Sequence, residues 1–147
     1  MSALARFFNQ RGDRVSGYDR TPSPLTEELE REGIGIHYED NPELIPSDVD
    51  MVIYTPAVPQ ELHEFVALKE RGVRMEKRSQ VLGELTRGKK CIAVAGSHGK
   101  TTTTTLIAHL LSNADCGCGA FLGGISKNFG SNLRVDNKSE YVVVEAD

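Results

Sequence analysis

An α/β fold is predicted for this chain, with a parallel sheet covered by helices on its faces. Runs rich in β-branched residues, such as Asp50–Tyr54, Cys91–Ala95 and Tyr141–Glu145, are typical of strands. Between such runs lie segments with apolar residues at helical spacing, which open with Ser or Pro and close with Gly. Strands that alternate with helices are typical of parallel sheets, because each crossover helix packs on a face of the sheet.

The first half of the chain is predicted to begin with a helix and to continue as a series of β-α units. Ala3, Leu4, Phe7 and Phe8 fall on one helical face, and Gly12 is a natural C-terminal stop. Strands are then predicted at Val15–Tyr18, Ile34–His37, Asp50–Tyr54 and Val73–Met75. Helices are predicted from Ser23 to about Gly33, from Pro59 to Arg71 and from about Ser79 to Arg87.

The second half is predicted to form a second domain. Gly88–Lys90 looks like a linker, so the expected domains are residues 1–88 and residues 89–147. Further strands are expected at Cys91–Ala95, which looks buried, near Ala120–Leu122 and at Tyr141–Glu145. A helix is expected from Lys100 to about Ser112, with an apolar face formed by Leu106, Ile107, Leu110 and Leu111.

Both ends of the chain are unusual for such a fold. The chain begins directly in a helix, although the pattern calls for a strand and a turn before it. It ends on a strand whose last residues include Glu145 and Asp147. Ligands in open α/β sheets sit at the carboxyl ends of strands, so chemistry is expected to start there. We therefore expect a fragment of a longer protein.

Charge, hydropathy and cysteine pattern argue against several classes of protein. The net charge is −4 and no basic stripe stands out, which argues against a nucleic-acid-binding protein. No apolar run is long enough to span a bilayer, and the first residues lack the pattern of a signal peptide. The three cysteines, Cys91, Cys116 and Cys118, form no CxxC pair, which indicates reduced thiols in a cytoplasmic protein. A metal site at Cys116 and Cys118 is the minor alternative.

The strongest chemical signal is the loop Gly96–Thr101 (GSHGKT), which joins a predicted strand to a predicted helix. Glycines let the backbone wrap around phosphate oxygens, and N–H groups at a helix start point towards the anion. Lys100 adds a positive charge for β- and γ-phosphates, and the Thr101 hydroxyl suits Mg²⁺. Val94 stands where the longer pattern GxxxxGK[ST] has its first glycine, so this is the shorter GxxGKT form. A glycine-rich turn with an exposed lysine is the alternative.

Several polar residues near the loop have two interpretations. Thr101–Thr105 is a run of β-branched residues, which are mediocre helix formers. Hydroxyls at a helix start can cap N–H groups or contact phosphate and metal, and capping is predicted for Thr103–Thr105. His98 either contacts phosphate or shapes the loop, whereas His109 is interpreted as an ordinary helix residue. Glu145 either holds Mg²⁺ opposite Thr101 or simply ends its strand in solvent.

Segments along the whole chain resemble, in order, those of the Mur ligase family. AVAGSHGKTTTTTLIAHLL is similar to the family's ATP loop, GT(H/N)GKTT. GYDRTPSPLTEEL resembles the second strand and following helix of its UDP-binding domain, and VIYTPAVP resembles its uridine-nucleotide loop. FLGGISKNFGSN and VVVEAD resemble its muramyl-proximal loop and its metal-binding strand. The resemblance implies a Rossmann-like UDP-binding domain, followed by the start of a P-loop central domain.

The resemblance also implies an account of the chain's start. Family members carry GIGGIGMSALA, and this chain opens with MSALA. The first strand of the Rossmann-like domain and its pyrophosphate loop are then missing, and the C-terminal domain of the family is absent.

Site residues follow from the resemblance by position. ATP would be bound by Gly96, Ser97, His98, Gly99, Lys100, Thr101 and Thr102, with Lys100 as the catalytic contact to the β- and γ-phosphates. Mg²⁺ would be held by Thr101 and Glu145. The UDP-linked substrate would be bound by Asp19, Thr55, Pro56 and Ala57, and near its muramyl group by Gly123, Gly124, Asn128 and Asn132. Asp19 is alternatively a plain strand end, and the two glycines are alternatively turn residues with positive φ.

The reaction implied by the resemblance is an ATP-dependent amide ligation. The histidine before Gly99 and the threonine run are most similar to the alanine-adding branch, whose substrates are UDP-N-acetylmuramate and L-alanine. Neither nucleic acid nor membrane is an expected partner. Three other readings stay open: the branch that attaches a ready-made tripeptide, a P-loop kinase or GTPase, and a non-catalytic UDP-sugar-binding module. The fragment alone is expected to be inactive.

Overall fold

The computed structural model describes residues 1–146, and Asp147 lies outside the described residues. These residues form two compact units. The first unit comprises Met1 and residues 8–81, and the second comprises residues 2–7 together with the chain from Leu82 onward. None of the helices within the described range has the length and apolar character needed to cross a membrane.

The first unit alternates short strands with helices, as predicted. Its elements are α1 (Ser2–Arg11), β1 (Ser16–Tyr18), α2 (Pro24–Arg31), β2 (Gly35–His37), a 3-10 helix (Pro42–Leu44), β3 (Met51–Tyr54), α3 (His63–Glu70), β4 (Arg74–Lys77) and α4 (Arg78–Leu85). Helices α1 and α4 are divided between the two units. Strand β1 pairs in parallel with β2, and β3 pairs in parallel with β4. The four strands thus form two separate two-stranded sheets.

Local sequence explains where the early helices start and stop. Helix α1 ends at Gly12, whose φ of 97° is the left-handed conformation that glycine adopts without strain. Helix α2 starts with a capping box: the Ser23 side chain accepts from the Thr26 N–H, and the Thr26 hydroxyl oxygen accepts from the Ser23 N–H. Pro24 occupies the first helical position, where no N–H is needed.

Helix α3 begins later than predicted, at His63 instead of Pro59. The intervening residues form a turn, in which the Leu62 N–H donates to the Pro59 carbonyl at 3.2 Å. The start of α3 is set by Asp40, a residue distant in sequence, whose carboxylate accepts from the N–H groups of His63 at 3.0 Å and Glu64 at 2.9 Å. A proline-based reading of the sequence could not foresee this long-range cap.

Replacing Asp40 by alanine is expected to loosen the start of α3. Burial raises the pKa of Asp40, but hydrogen bonds from the Glu64 and His63 N–H groups and from the His63 ring outweigh it and lower the pKa. The stabilisation is therefore present above the ordinary pKa of an aspartate and is lost as pH falls through the lower folded-state pKa. At neutral pH the loss should be about 1 kcal/mol, or roughly fivefold faster hydrogen exchange at the His63 and Glu64 amides.

Asp50→Ala is the matched control for that change, because Asp50 is an exposed carboxylate of the same unit. Hydrogen–deuterium exchange of both variants should be measured at neutral pH and again near pH 2. Equal exchange at the α3 amides in the two variants at neutral pH would contradict the capping role.

The second unit is built on one four-stranded sheet. Its main elements are β5 (Lys90–Val94), α5 (Lys100–Asn113), β6 (Gly119–Ser126), β7 (Ser131–Arg134) and β8 (Tyr141–Glu145). The strand order is β5-β8-β6-β7. Strands β5, β8 and β6 are parallel, but β7 runs antiparallel to β6. The wholly parallel arrangement expected from the sequence is thus wrong at this edge, because a tight turn through Gly130 (φ 61°) makes a hairpin there.

The core of this unit lies between α5 and the sheet. Its buried members are four aliphatic side chains and one cysteine: Ala108, Cys118, Ala120, Leu122 and Val143. Ile107 and Leu111 pack against this cluster, as the apolar periodicity predicts. Leu106 and Leu110 instead point outward, with 55% and 69% of their surface exposed, so the predicted apolar face was too wide.

Strand β5 is also less buried than expected. It forms an edge of the sheet, and its residues Cys91 and Ala93 are exposed while Ile92 packs towards the core. A continuous apolar run does not distinguish an edge strand from a central one, because neighbours in the sheet are set by topology.

Candidate functional site

The loop between β5 and α5 has the backbone shape of an anion-binding turn. Gly96 adopts φ 147° and Gly99 adopts φ 77°, both in the region that strains residues with a Cβ. Gly99 is the N-cap of α5, and the first helical bond runs from the Thr103 N–H to the Gly99 carbonyl at 2.9 Å. The amides that follow Gly99 therefore lie at the positive end of the helix, where an anion is stabilised.

Lys100 is the first residue of α5 and folds back over this loop. Its Nζ donates to the Gly96 carbonyl at 2.6 Å. This contact places the ammonium group across the mouth of the turn, where it would meet the same anion as the helix amides. Because an ammonium group has three donors, Lys100 can donate to phosphate oxygens while it keeps its hydrogen bond to the Gly96 carbonyl.

The threonine run divides into two roles. Thr101 and Thr102 are exposed at the start of the helix, where their hydroxyls are available to a ligand. Thr104 is fully buried, and its hydroxyl donates to the Lys100 carbonyl at 2.5 Å. Capping, the role expected for Thr103–Thr105, is therefore wrong for Thr104, which bonds back along its own helix.

Glu145 and the loop both lie at the carboxyl ends of their strands, on the same end of the sheet. Strands β5 and β8 are in register with Val94 opposite Glu145, so the last residue of β8 stands beside the point where the chain leaves β5. The Glu145 residue is only 7% exposed, and its Oε1 accepts from the Gly123 N–H at 2.7 Å. The alternative of a solvated strand end is thus wrong.

Strand β6 lies next to both this carboxylate and the start of α5. Gly123 bonds to Glu145, and a Cβ built on Gly124 would lie 3.6 Å from Cγ2 of Thr101. The two residues predicted to hold a metal therefore border the same pair of glycines. Both glycines lie within β6 and neither has a positive φ, so the alternative that they are turn residues is wrong.

The two asparagines predicted near the muramyl group have different environments. Asn128 is exposed in the turn between β6 and β7. Asn132 is 3% exposed, its Oδ1 accepts from Arg6 Nη1 at 2.6 Å, and its Nδ2 donates to Ser2 Oγ at 2.7 Å. The structure thus gives the Asn132 amide a packing role against the first turns of α1. A contact with substrate stays a prediction for both residues.

Sequence reasoning missed Arg6 as a structural residue. Arg6 is among the largest fully buried side chains of the described residues. Its position three residues after Ala3, on the apolar face of a helix, was the available signal, because a charge on such a face requires a buried partner.

The residues predicted to contact the uridine nucleotide lie in the first unit. Asp19 follows β1, and Thr55, Pro56 and Ala57 follow β3, so both sets stand at the carboxyl ends of parallel strands. The Asp19 carboxylate accepts from the Thr21 N–H at 3.3 Å, and the Thr55 carbonyl accepts from the Val58 N–H at 3.1 Å. Both segments are tight turns with exposed polar groups, and their ligand role stays a prediction.

Other candidate ligand residues are not gathered into a site. His98 and Cys91 are exposed, Cys116 is exposed, and Cys118 is buried with its Sγ near the Ala108 carbonyl at 3.4 Å. Within residues 1–146, no three or more His, Cys, Asp or Glu side chains come together in a way that would hold a metal ion. A magnesium site at Thr101 and Glu145 would therefore rely on phosphate oxygens, water or further protein groups for its other ligands.

Family comparisons match the two halves of the chain separately. The description "Mur ligase family, catalytic domain" matches residues 1–90, and "Mur ligase middle domain" matches residues 94–147. The gap between the two matches, residues 91–93, lies within β5, directly after the predicted linker.

Relatives with known names are similar over the whole chain. The UDP-N-acetylmuramate–L-alanine ligases of Phocaeicola vulgatus and Porphyromonas gingivalis are 55% and 51% identical to it, over 100% of the chain. The chain spans only 33% of the length of each.

Solved structures of two ligases have the same fold. The UDP-N-acetylmuramate-alanine ligase of Thermotoga maritima is 34% identical, with a TM-score of 0.89 over 99% of this chain and 34% of its own. The UDP-N-acetylmuramate:L-alanyl-gamma-D-glutamyl-meso-diaminopimelate ligase of Neisseria meningitides is 28% identical, with a TM-score of 0.90 over 100% of this chain and 49% of its own.

Proposed function

This chain belongs to the Mur ligase family, whose members use ATP, and we propose that the protein joins L-alanine to the lactyl carboxylate of UDP-N-acetylmuramate. ATP is cleaved to ADP and phosphate in this reaction. The observation that carries the proposal is the GSHGKT loop at the end of β5, with Glu145 in register beside it. The names of the relatives at 50% identity or more support the choice of substrates.

The chemistry begins with activation of the carboxylate. A carboxylate is a poor acyl donor, so the γ-phosphoryl group is first transferred to it, which gives an acyl phosphate and ADP. Phosphoryl transfer depends mainly on alignment and on neutralising negative charge. Lys100 and the amides at the start of α5 supply donors for the phosphate oxygens. The amine of alanine then attacks the acyl carbon, and phosphate leaves as the amide forms.

Mg²⁺ fits the residues at the carboxyl ends of β5 and β8. Thr101 offers a hydroxyl and Glu145 a carboxylate, and oxygen ligands of this kind are what Mg²⁺ prefers. Glu145 is held by the Gly123 N–H through one oxygen, Oε1. When bound, Mg²⁺ supplies positive charge to the β- and γ-phosphate oxygens.

The nucleotide sugar is assigned to the remaining predicted residues. Asp19, Thr55, Pro56 and Ala57 bind the UDP moiety at the strand ends of the first unit. Gly123, Gly124, Asn128 and Asn132 are assigned to the muramyl group. We place the reaction in the cytoplasm, where UDP-linked precursors and ATP are both present.

A direct assay tests this proposal. The intact protein is expected to release ADP from ATP only when UDP-N-acetylmuramate and L-alanine are both present. Release with the L-alanyl-γ-D-glutamyl-meso-diaminopimelate tripeptide instead of alanine would favour the second candidate, a ligase of the kind named for Neisseria, which shares this fold. Binding of the nucleotide sugar without ADP release under any of these conditions would indicate a non-catalytic module.

A further inference from the structure

Gly123 and the Glu145 carboxylate are closer than any side chain at position 123 would allow. A Cβ built on Gly123 would overlap Oε2 of Glu145 and would lie 2.8 Å from both its Oε1 and its Cδ. Real Cβ atoms essentially never have contacts below 3.0 Å. Since Gly123 has no positive φ, the need for glycine here arises from this contact and not from the backbone conformation.

The course of β6 explains why its amide is turned towards the carboxylate. The parallel ladder between β6 and β8 runs from Gly119 opposite Val142 to Phe121 opposite Val144. On its other side, β6 pairs with β7, where Phe121 is opposite Leu133 and Ser126 is opposite Ser131. The register shifts between these two pairs, because β6 has more residues than β7 over this stretch. A bulge of this kind re-aims backbone groups. Gly123 N–H accordingly donates to the Glu145 side chain at 2.7 Å.

The contact fixes the position of the carboxylate as well as its hydrogen bonding. Glu145 Oε1 is held by the amide, and both carboxylate oxygens lie against the open face of the glycine. Glu145 is nearly buried, whereas Gly123 itself is exposed. A methyl group at position 123 would therefore push the end of the Glu145 side chain away, with little disturbance of the strand backbone.

We propose that Gly123 is a positioning residue for Glu145: its N–H and its missing side chain hold the carboxylate where it binds the divalent cation of the nucleotide. The inference rests on the proposed function, since it takes Glu145 as a metal ligand. It changes the role of Gly123 from a contact of the nucleotide sugar to a support of the metal site. Partners that orient a metal ligand typically change metal affinity 10–100-fold when they are removed.

The test measures cation binding in Gly123→Ala of the intact protein. Mn²⁺ is the probe, followed by electron paramagnetic resonance in the presence of a non-hydrolysable ATP analogue. We expect the Kd for Mn²⁺ to rise about tenfold or more. In turnover assays the Mg²⁺ concentration for half-maximal rate should rise to a similar extent, while the KM for UDP-N-acetylmuramate stays within about twofold. A raised KM for the nucleotide sugar with unchanged Mn²⁺ binding would overturn the inference and return Gly123 to the substrate site.

Gly119→Ala is the matched control from the same strand. A Cβ at Gly119 would meet its nearest atom, the Arg134 carbonyl oxygen, at 3.5 Å, which is ordinary contact. This variant should bind Mn²⁺ like the wild type. Equal weakening in both glycine variants would overturn the inference, because the effect would then come from the strand and not from Glu145.

A second variant separates crowding from misfolding. Asp is one methylene shorter than Glu, so Glu145→Asp should leave room for the new methyl group. In the Gly123→Ala background, Glu145→Asp should then cost less Mn²⁺ affinity than it does alone. If circular dichroism shows that Gly123→Ala is unfolded, the double variant should regain the fold, and failure of both to fold would overturn the inference.

The wild type distinguishes failure of this inference from failure of the proposed function. Absence of Mn²⁺ binding in the wild type would overturn both this inference and the metal role in the proposed function. Mn²⁺ binding that is equal in the wild type and in Gly123→Ala would overturn this inference alone.

Discussion

Lys100→Ala is expected to lower the kcat of the intact protein by about a thousandfold, the scale of losing a charged group that stabilises a transferring phosphoryl group. The Lys100 ammonium group lies across the mouth of the loop, bonded to the Gly96 carbonyl at 2.6 Å. Its removal takes away this positive charge and leaves the helix amides and the exposed hydroxyls of Thr101 and Thr102 as donors at this end of α5. ADP release measured with saturating ATP, UDP-N-acetylmuramate and L-alanine reports the loss.

Substrate binding distinguishes this effect from general damage. Asp19 and the other residues assigned to UDP lie in the first unit, whereas Lys100 lies in the second. The Kd for UDP-N-acetylmuramate, measured by calorimetry, should therefore stay within about twofold, because no contact of the uridine nucleotide is removed. Lys90→Ala is the matched control, since Lys90 is an exposed lysine of the same unit that pairs with Glu140 at 2.8 Å. Turnover in Lys100→Ala equal to that of Lys90→Ala would refute the role.

Glu145→Gln is expected to lower turnover about a hundredfold at an ordinary Mg²⁺ concentration, the scale of losing one group that stabilises transition-state charge. Glutamine has almost the same shape, and its side-chain oxygen can still accept from the Gly123 N–H, which donates at 2.7 Å in the structure. The substitution therefore removes the negative charge and largely keeps the packing. A neutral amide oxygen binds Mg²⁺ more weakly than a carboxylate, so raising the Mg²⁺ concentration should restore part of the rate.

Thermal unfolding serves as the structural readout for Glu145→Gln, and the Tm should stay close to that of the wild type. Glu140→Gln is the matched control, because Glu140 is an exposed carboxylate that immediately precedes β8. A large fall in Tm with an unchanged Mg²⁺ dependence would mean that Glu145 is structural and holds no metal.

Features that depend on a few neighbouring residues were predicted well. The helix start at Ser23 and Pro24, the stop at Gly12, and the turn from β5 into α5 all appear where the sequence places them. Each depends on local physics: side-chain caps, the φ of proline and the tolerance of glycine for positive φ. The phosphate-binding loop belongs to this class, which explains why its residues stand out in the sequence.

Features that depend on distant residues were missed or misplaced. The start of α3 depends on Asp40, and the burial of Arg6 depends on Asn132 at the other end of the chain. Strand β7 was missed because its four residues, SNLR, have no strong strand pattern and are held by pairing with β6. The exposure of Cys91 followed from the sheet order, which places β5 at an edge.

The sequence by itself determined the loop, the helix boundaries next to Ser, Pro and Gly, and the family to which the chain belongs. Only the tertiary structure decided that Glu145 stands opposite Val94, that Gly123 holds its carboxylate, and that Leu106 and Leu110 point outward. The physical reason is the range of the interactions. Backbone conformation and capping are set by residues within one helical turn, whereas strand register and packing bring together residues that are far apart in the chain.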